Sequence, residues 1–196
     1  MGVKETEVEM QNEIKLPELI GLAGTFASGK DTLASRLVLD HDYVHVSTGD
    51  MVRKVARQER GSIERPVLHE AADAHRKDDG AGYFAQQALQ EPRPLVVSGL
   101  RTMGEVKVIK NAGGVIVFVD APVEVRYERA MNRRRDGEDK LSLDEFKASE
   151  ASEWYAGDTD ADFNLRDIKA GADIVVENVA SLDEFISRVS KRLAEL

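Results

Sequence analysis

The sequence predicts an α/β protein built on a parallel sheet with helices on both faces. Three observations carry that expectation. Short apolar runs without polar alternation, at 19–23, 95–97 and 115–119, read as strands buried on both sides. Each is followed by a segment of helical period, the pattern that parallel crossovers require. The first run leads directly into Gly24-Thr25-Phe26-Ala27-Ser28-Gly29-Lys30, which has the G-x-x-x-x-G-K spacing of a phosphate-binding turn between strand and helix.

The elements follow in order. Residues 1–16 are polar and charged and read as a flexible tail, with weak helix potential over 5–14. Residues 17–196 read as one domain, with Pro17 introducing the first strand. A helix runs from 30 to about 40, and a strand follows at 43–47. Gly49 allows a tight strand-to-helix turn and Asp50 caps a helix over 51–59. Gly61 and Ser62 break it, and Ser62 caps the next, 63–77, which Asp78-Asp79-Gly80 ends. A short helix at 83–90 precedes a turn bracketed by Pro92 and Pro94, then the strand at 95–97. A helix at 103–111 closes on Gly113-Gly114 before the strand at 115–119. Pro122 suits the first helical position of a segment reaching about 135. After a polar break at 136–139, Ser142 and Glu145 form a capping box for a helix over 142–156. The last strand is 172–177, and a second box, Ser181 and Glu184, opens the closing helix, 181–196.

Composition narrows the function. With 42% hydrophobic residues, 196 residues suffice for a sizeable core. No cysteine is present, so disulfides and thiolate metal sites are excluded. The four histidines, His41, His45, His69 and His75, lack zinc-like spacing and read as solvated or satisfied side chains. No apolar run reaches membrane-spanning length and no signal-peptide core opens the chain, so a cytoplasmic protein without membrane partners is expected. A net charge of −9 argues against general nucleic-acid binding.

Ligands of open parallel sheets bind at the carboxyl ends of the strands. Four segments fall there: 24–32, 47–53, 98–101 and the stretch after Asp120. In the first, Gly24, Ala27, Ser28 and Gly29 offer closely spaced backbone N–H donors to a triphosphate, and the helix N-terminus adds its own. Lys30 supplies a cation for the β- and γ-phosphates. Asp31 stands where a hydroxyl residue usually follows the lysine, and Thr32 comes next. Asp31, Thr32 and Asp50 are the expected Mg²⁺ ligands. Arg53, one turn into its helix, is placed to meet an anion over the sheet edge, with a solvated arginine as the alternative. Arg126, Arg129 and Arg133 share one helix face, and five arginines within ten residues of an acidic chain favour an anion site over a solvated basic face.

Ser-Thr-Gly-Asp-Met-x-Arg at 47–53 resembles the acceptor-site motif of adenylate kinases and related nucleoside monophosphate kinases. The resemblance implies a P-loop NTPase sheet in the order 2-3-1-4-5, Thr48 near an acceptor base and Arg53 on its phosphate. Ser98-Gly99-Leu100-Arg101 is similar to the family's Asp-Gly-Phe-Pro-Arg, which assigns Arg101 to the same phosphate and leaves Ser98 in place of an acid that orders metal-bound water. Arg129 and Arg133 match the family's lid-base arginines that grip the donor nucleotide, with Arg134 behind them. The acceptor helices then span about 49–90, with Arg65, Arg76 and Tyr83 as further candidates, and a short lid spans about 129–160. Trp154 and Tyr155 read as hinge packing rather than base stacking.

The long lid of the family is missing, which brings the chain closer to dephospho-CoA kinases, phage-type deoxynucleotide kinases and archaeal adenylate-kinase-like proteins. Lys30-Asp31-Thr32 is a variant found among phage deoxynucleotide kinases, and Gly-Lys-Asp among animal phosphomevalonate kinases. The segment 172–178 also looks like that group, where the turn after the last strand contacts adenine. The leading expectation is ATP- and Mg²⁺-dependent transfer of a γ-phosphoryl to a nucleoside or deoxynucleoside monophosphate, by a monomer or homodimer. The alternatives are a dephospho-CoA-kinase-like enzyme, for which Asp50 or Asp31 would serve as base, and a nucleotide-binding regulatory ATPase.

Overall fold

The computed structural model describes residues 15–132 and 142–196, with Arg65 and Ser152 described by backbone alone. Five strands, β1 (Leu19–Gly24), β2 (Val44–Ser47), β3 (Leu95–Leu100), β4 (Val115–Asp120) and β5 (Ile174–Glu177), form one parallel sheet in the order β2-β3-β1-β4-β5. The register places Ile20 between Val96 and Val115, and Leu22 between Ser98 and Val117. Parallel neighbours need crossovers, supplied by α1 (Lys30–His41), α2 (Thr48–Arg60), α3 (Arg65–Asp78), α4 (Tyr83–Ala88) and α5 (Met103–Asn111), then α6 (Val123–Asn132), α7 (Leu143–Trp154), α8 (Leu165–Gly171) and α9 (Leu182–Ala194).

Two cores explain the unbroken apolar strands. Ile20, Leu22, Val96, Val117 and Val176 face α1 and α9, where Leu33, Leu37, Phe185 and Val189 are buried. Leu19, Val97, Ile116 and Phe118 point the other way, onto Ala85 of α4, Ile109 of α5 and Ile168 of α8. Alternate residues of one strand therefore serve opposite cores, and neither face is left for water. Each large side chain so buried contributes roughly 1.5–3 kcal/mol. Tyr43 joins the first core, and its hydroxyl donates to the Pro17 carbonyl, tying β2 to the entry of β1. Burial pushes that phenol up to about 12.

Several element boundaries differ from the sequence reading. Helix α2 begins at Thr48, three residues before the expected 51, because Ser47 is its cap: the Ser47 Oγ accepts the Asp50 N–H at 3.2 Å. Asp50 lies inside the first turn, where a carboxylate complements the helix dipole. Glu64 rather than Ser62 precedes α3, since Ser62 spends its Oγ on the Glu64 N–H at 3.2 Å. Strand β3 extends to Leu100, because Ser98 still pairs with Leu22 and Ser47 despite its polarity. Pro122 precedes α6, and its carbonyl accepts the Arg126 N–H at 3.0 Å. Helix α8 was not expected. It is capped by Asn164, which accepts the Asp167 N–H at 3.0 Å. The capping boxes at Ser142 and Ser181 form, and a third forms at Thr102 and Glu105. The expected end of the helix near 135, the break at 136–139 and most of the tail lie outside the described residues, whereas Leu16 packs on the first core. No helix among the described residues is long and apolar enough to cross a membrane.

Candidate active site

Gly24 to Lys30 turns from β1 into α1 at the centre of the sheet, where β3 and β4 flank β1. Gly24 has φ +149, and a Cβ there would lie 2.1 Å from the Val119 carbonyl oxygen, so no other residue fits without moving β4. Ala27 at the apex is left-handed with φ 59, and Gly29 follows at φ 101. Successive residues of such hands turn their N–H groups inward, the geometry that binds anions. The Lys30 ammonium lies 3.4 Å from the Thr25 carbonyl oxygen, bent back across the loop.

The loop is braced from two strand ends. Thr25 donates through Oγ1 to the Asp120 carboxylate at 2.9 Å, which also takes the Ala121 N–H at 2.9 Å and the Lys169 ammonium at 2.7 Å. Burial alone would raise the Asp120 carboxyl, but these three donors outweigh it and hold the group below the usual carboxylate range. From β5, Asn178 donates through Nδ2 to the Ser28 carbonyl at 2.9 Å, and a Cβ on Gly29 would come within 2.2 Å of that nitrogen.

Lys30, Asp31 and Ala27 share one cavity of about 130 Å³ with Gly49 and Arg53 from α2 and with Gly99 and Arg101 at the end of β3. The structure thus brings together the loop and both arginines expected to hold an acceptor. Arg53 reaches Asp50 at 2.5 Å, and Arg101 reaches Glu153 of α7 at 2.5 Å. Thr48 is buried beside this cavity and donates its hydroxyl to the Gly99 carbonyl at 2.9 Å, so it joins α2 to β3. Thr32 is exposed on α1 and does not line the cavity. Ser98 is buried, with its Oγ 2.8 Å from Nε2 of His45 on β2.

Arg129 of α6 donates Nη2 to the Asn178 carbonyl at 3.1 Å; its Nη1 is buried with no hydrogen-bond partner among the described residues. Arg133 and Arg134 lie outside the described residues, as does the Arg65 side chain. Arg76 is buried and lies away from the cavity, 3.6 Å from Glu105 and over the rings of Phe84 and Phe163. Tyr83 stacks on His75 instead of facing the loop.

The sequence reading missed the second wall. Phe26, Asp120, Arg126, Glu150, Glu153 and Trp154 line a neighbouring cavity of about 390 Å³. Phe26 belongs to both cavities and packs on Phe146 of α7, with ring centroids 5.9 Å apart. Arg126 is buried and donates Nε to the Ala121 carbonyl at 2.7 Å while pairing with Glu150, so it fastens α7 to the end of β4. Asp120 and Asn178 sit at strand ends, in the two stretches that the sequence marks there, after Asp120 and at 172–178.

Solved structures share this architecture. TT1252 from Thermus thermophilus is 24% identical over 93% of this chain and 99% of its own, with a TM-score of 0.58. Shikimate kinase from Aquifex aeolicus is 22% identical over 89% and 95%, also at 0.58. A gluconokinase from Sinorhizobium meliloti is 17% identical over 92% and 94%, at 0.55. No curated protein matches the sequence. The sheet order and the loop after β1 are those of the P-loop kinase fold. The AAA domain model matches residues 20–155, and the chain belongs to that family.

Proposed function

We propose that the protein is an ATP-dependent phosphotransferase that moves a γ-phosphoryl group to a small phosphorylated acceptor, a nucleoside or deoxynucleoside monophosphate. The observation that carries this reading is the shared cavity: Lys30 from the loop, Arg53 from α2 and Arg101 from the end of β3 line one space. Two guanidinium groups facing a phosphate loop suit a second phosphate, which each can grip in bidentate fashion.

Phosphoryl transfer needs positioning and charge neutralisation more than covalent chemistry from the protein. Lys30 and the loop N–H groups hold the β- and γ-phosphates, Arg53 and Arg101 align the acceptor, and Arg129, whose Nη1 has no hydrogen-bond partner among the described residues, adds it to the donor side. An acceptor phosphate oxygen needs no general base. Among the described residues no three His, Asp or Glu side chains group to hold a metal alone. Mg²⁺ keeps several waters and takes one or two carboxylates plus phosphates. Asp31 on the cavity wall is the residue to hold it, with Asp50 one helix away and engaged by Arg53. Mg²⁺ would neutralise charge on the transferring group.

A second reading, a dephospho-CoA-kinase-like enzyme with a hydroxyl acceptor, draws on the same Asp31, which lines the cavity and would serve as base. Coupled ADP release measured with AMP, CMP, UMP, GMP, the deoxynucleotides and dephospho-CoA separates the two. Stimulation by one or more mononucleotides is expected. Stimulation by dephospho-CoA alone would favour the second reading, and release indifferent to every acceptor would mark a regulatory ATPase.

A further inference from the structure

Arg101 is fixed by its backbone and by a ring beneath its side chain. Its backbone N–H donates to the Glu105 carboxylate at 2.8 Å, its carbonyl accepts the Asn164 N–H at 2.9 Å, and its guanidinium lies 5.5 Å from the Phe163 ring centroid. Its guanidinium is paired with Glu153, whose carboxylate is 2.5 Å from Nη1. Glu153 comes from α7, at the second cavity, whereas Arg101 lines the first. Their contact closes the boundary between the two.

The inner face of α7 explains how Glu153 gets there. Phe146, Glu150 and Glu153 follow at helical spacing on one face. Phe146 packs on Phe26 and Tyr127, and Glu150 pairs with the buried Arg126. These two residues anchor the helix, and Glu153, one turn beyond Glu150, extends to Arg101. The pair is partly withdrawn from water, with Glu153 19% and Arg101 31% exposed, so the carboxylate is a real competitor for any incoming anion.

We propose that Glu153 is a specificity-determining residue: it occupies Arg101 in place of the acceptor's anionic group, and an acceptor must outcompete it. This rests on the reading of Arg101 as an acceptor residue. A carboxylate carries one charge and two oxygens, whereas a phosphate monoester near pH 7 carries close to two charges and three free oxygens. The competition therefore ranks acceptors, with phosphate monoesters above carboxylates and carboxylates above neutral alcohols. It also links acceptor binding to α7, because displacing Glu153 releases the end of the helix that carries Trp154, the single tryptophan of the chain.

Calorimetric titration of the mononucleotide panel and of an ATP analogue tests the idea on the wild type, Glu153→Gln, Glu153→Ala, Arg101→Ala and the Glu153→Gln/Arg101→Ala double variant. Removing one partly exposed competing pair is expected to tighten mononucleotide binding by about 3- to 10-fold in both Glu153 variants, with the ATP analogue unaffected. The gain disappears in the double variant. Trp154 emission shifts when a mononucleotide binds the wild type and is already shifted in Glu153→Gln without ligand. If Arg101→Ala weakens the mononucleotide but both Glu153 variants bind it no better than the wild type, the competition does not exist. If Arg101→Ala leaves mononucleotide affinity unchanged, the acceptor reading itself fails, and the proposal with it.

Discussion

The imidazole of His75 stacks on the ring of Tyr83, with centroids 4.7 Å apart and planes 10° from parallel. The same imidazole bridges two carboxylates, Asp79 at 2.7 Å and Glu59 at 3.0 Å. Three helices thus meet at one ring: Glu59 belongs to α2, His75 to α3 and Tyr83 to α4. The hydrogen bond to Asp79 is the largest cause that raises the imidazole above its ordinary 6.5, and Glu59 adds to it against some desolvation. A raised folded-state value means that the stabilisation is complete below about 6.5 and is lost as the pH rises through the folded value. His75→Gln is therefore expected to cost about 0.5–1 kcal/mol more at pH 6 than at pH 9, a modest figure because both carboxylates are half in water. Urea unfolding at the two pH values checks it, and equal losses would remove the charge from the account.

Lys30→Ala removes the cation that the loop aims at the transferring group. Turnover is expected to fall about 100-fold or more, the usual loss for one donor directed at transition-state charge. The fold should persist, since the loop is braced by Asp120 and Asn178 rather than by Lys30. Wild-type turnover with unchanged ATP affinity would disprove the assignment.

Arg53→Ala and Arg101→Ala separate the two substrates. Each is expected to raise the acceptor KM and lower kcat, with little change in ATP affinity, because both line the cavity from outside the loop, Arg53 from α2 and Arg101 from the end of β3. Losses of about 10-fold or more per arginine are in line with a charge-assisted contact. Equal loss of both ligands in separate titrations would mean that no distinct acceptor site exists.

Asp31→Asn should raise the Mg²⁺ concentration needed for half-maximal activity, because it removes the one carboxylate that the described residues place on the cavity wall. Ser98→Asp should lower it or leave it unchanged. That variant has a partner waiting, since the Ser98 position faces Nε2 of His45. An Asp31→Asn enzyme with an unaltered Mg²⁺ titration refutes the ligand role.

The sheet and the loop were legible because they rest on local pattern. The strands at 19–23 and 115–119 are apolar runs long enough to need burial on both faces, and Gly24 and Gly29 mark positions where no side chain fits. Arg53 and Arg101 were legible as residues near strand ends. Their partners were not. Glu153 lies 52 positions from Arg101 and is polar on a helix that already carries Glu145 and Glu150, so nothing local distinguishes it from a solvated residue. Arg126 looked like one cation of a basic face and is instead buried beside Glu150, a pairing that exists only once α7 has docked. Helix α8 is a single short segment with three charged residues, and its cap, Asn164, is followed three positions on by Asp167 rather than by the Glu or Gln of a capping box. Long-range pairing decided each of these.

The bond from Asn178 to Ser28 joins residues 150 positions apart. A ribosome therefore completes every residue of the phosphate loop 150 residues before the one that shapes its far side. Until β5 has added to the edge of β4, Ser28 and Gly29 have no side chain against their backs. A nascent or truncated chain ending before 178 carries the whole loop sequence but not its finished form, so the ability to hold a nucleotide arrives together with the closing strand.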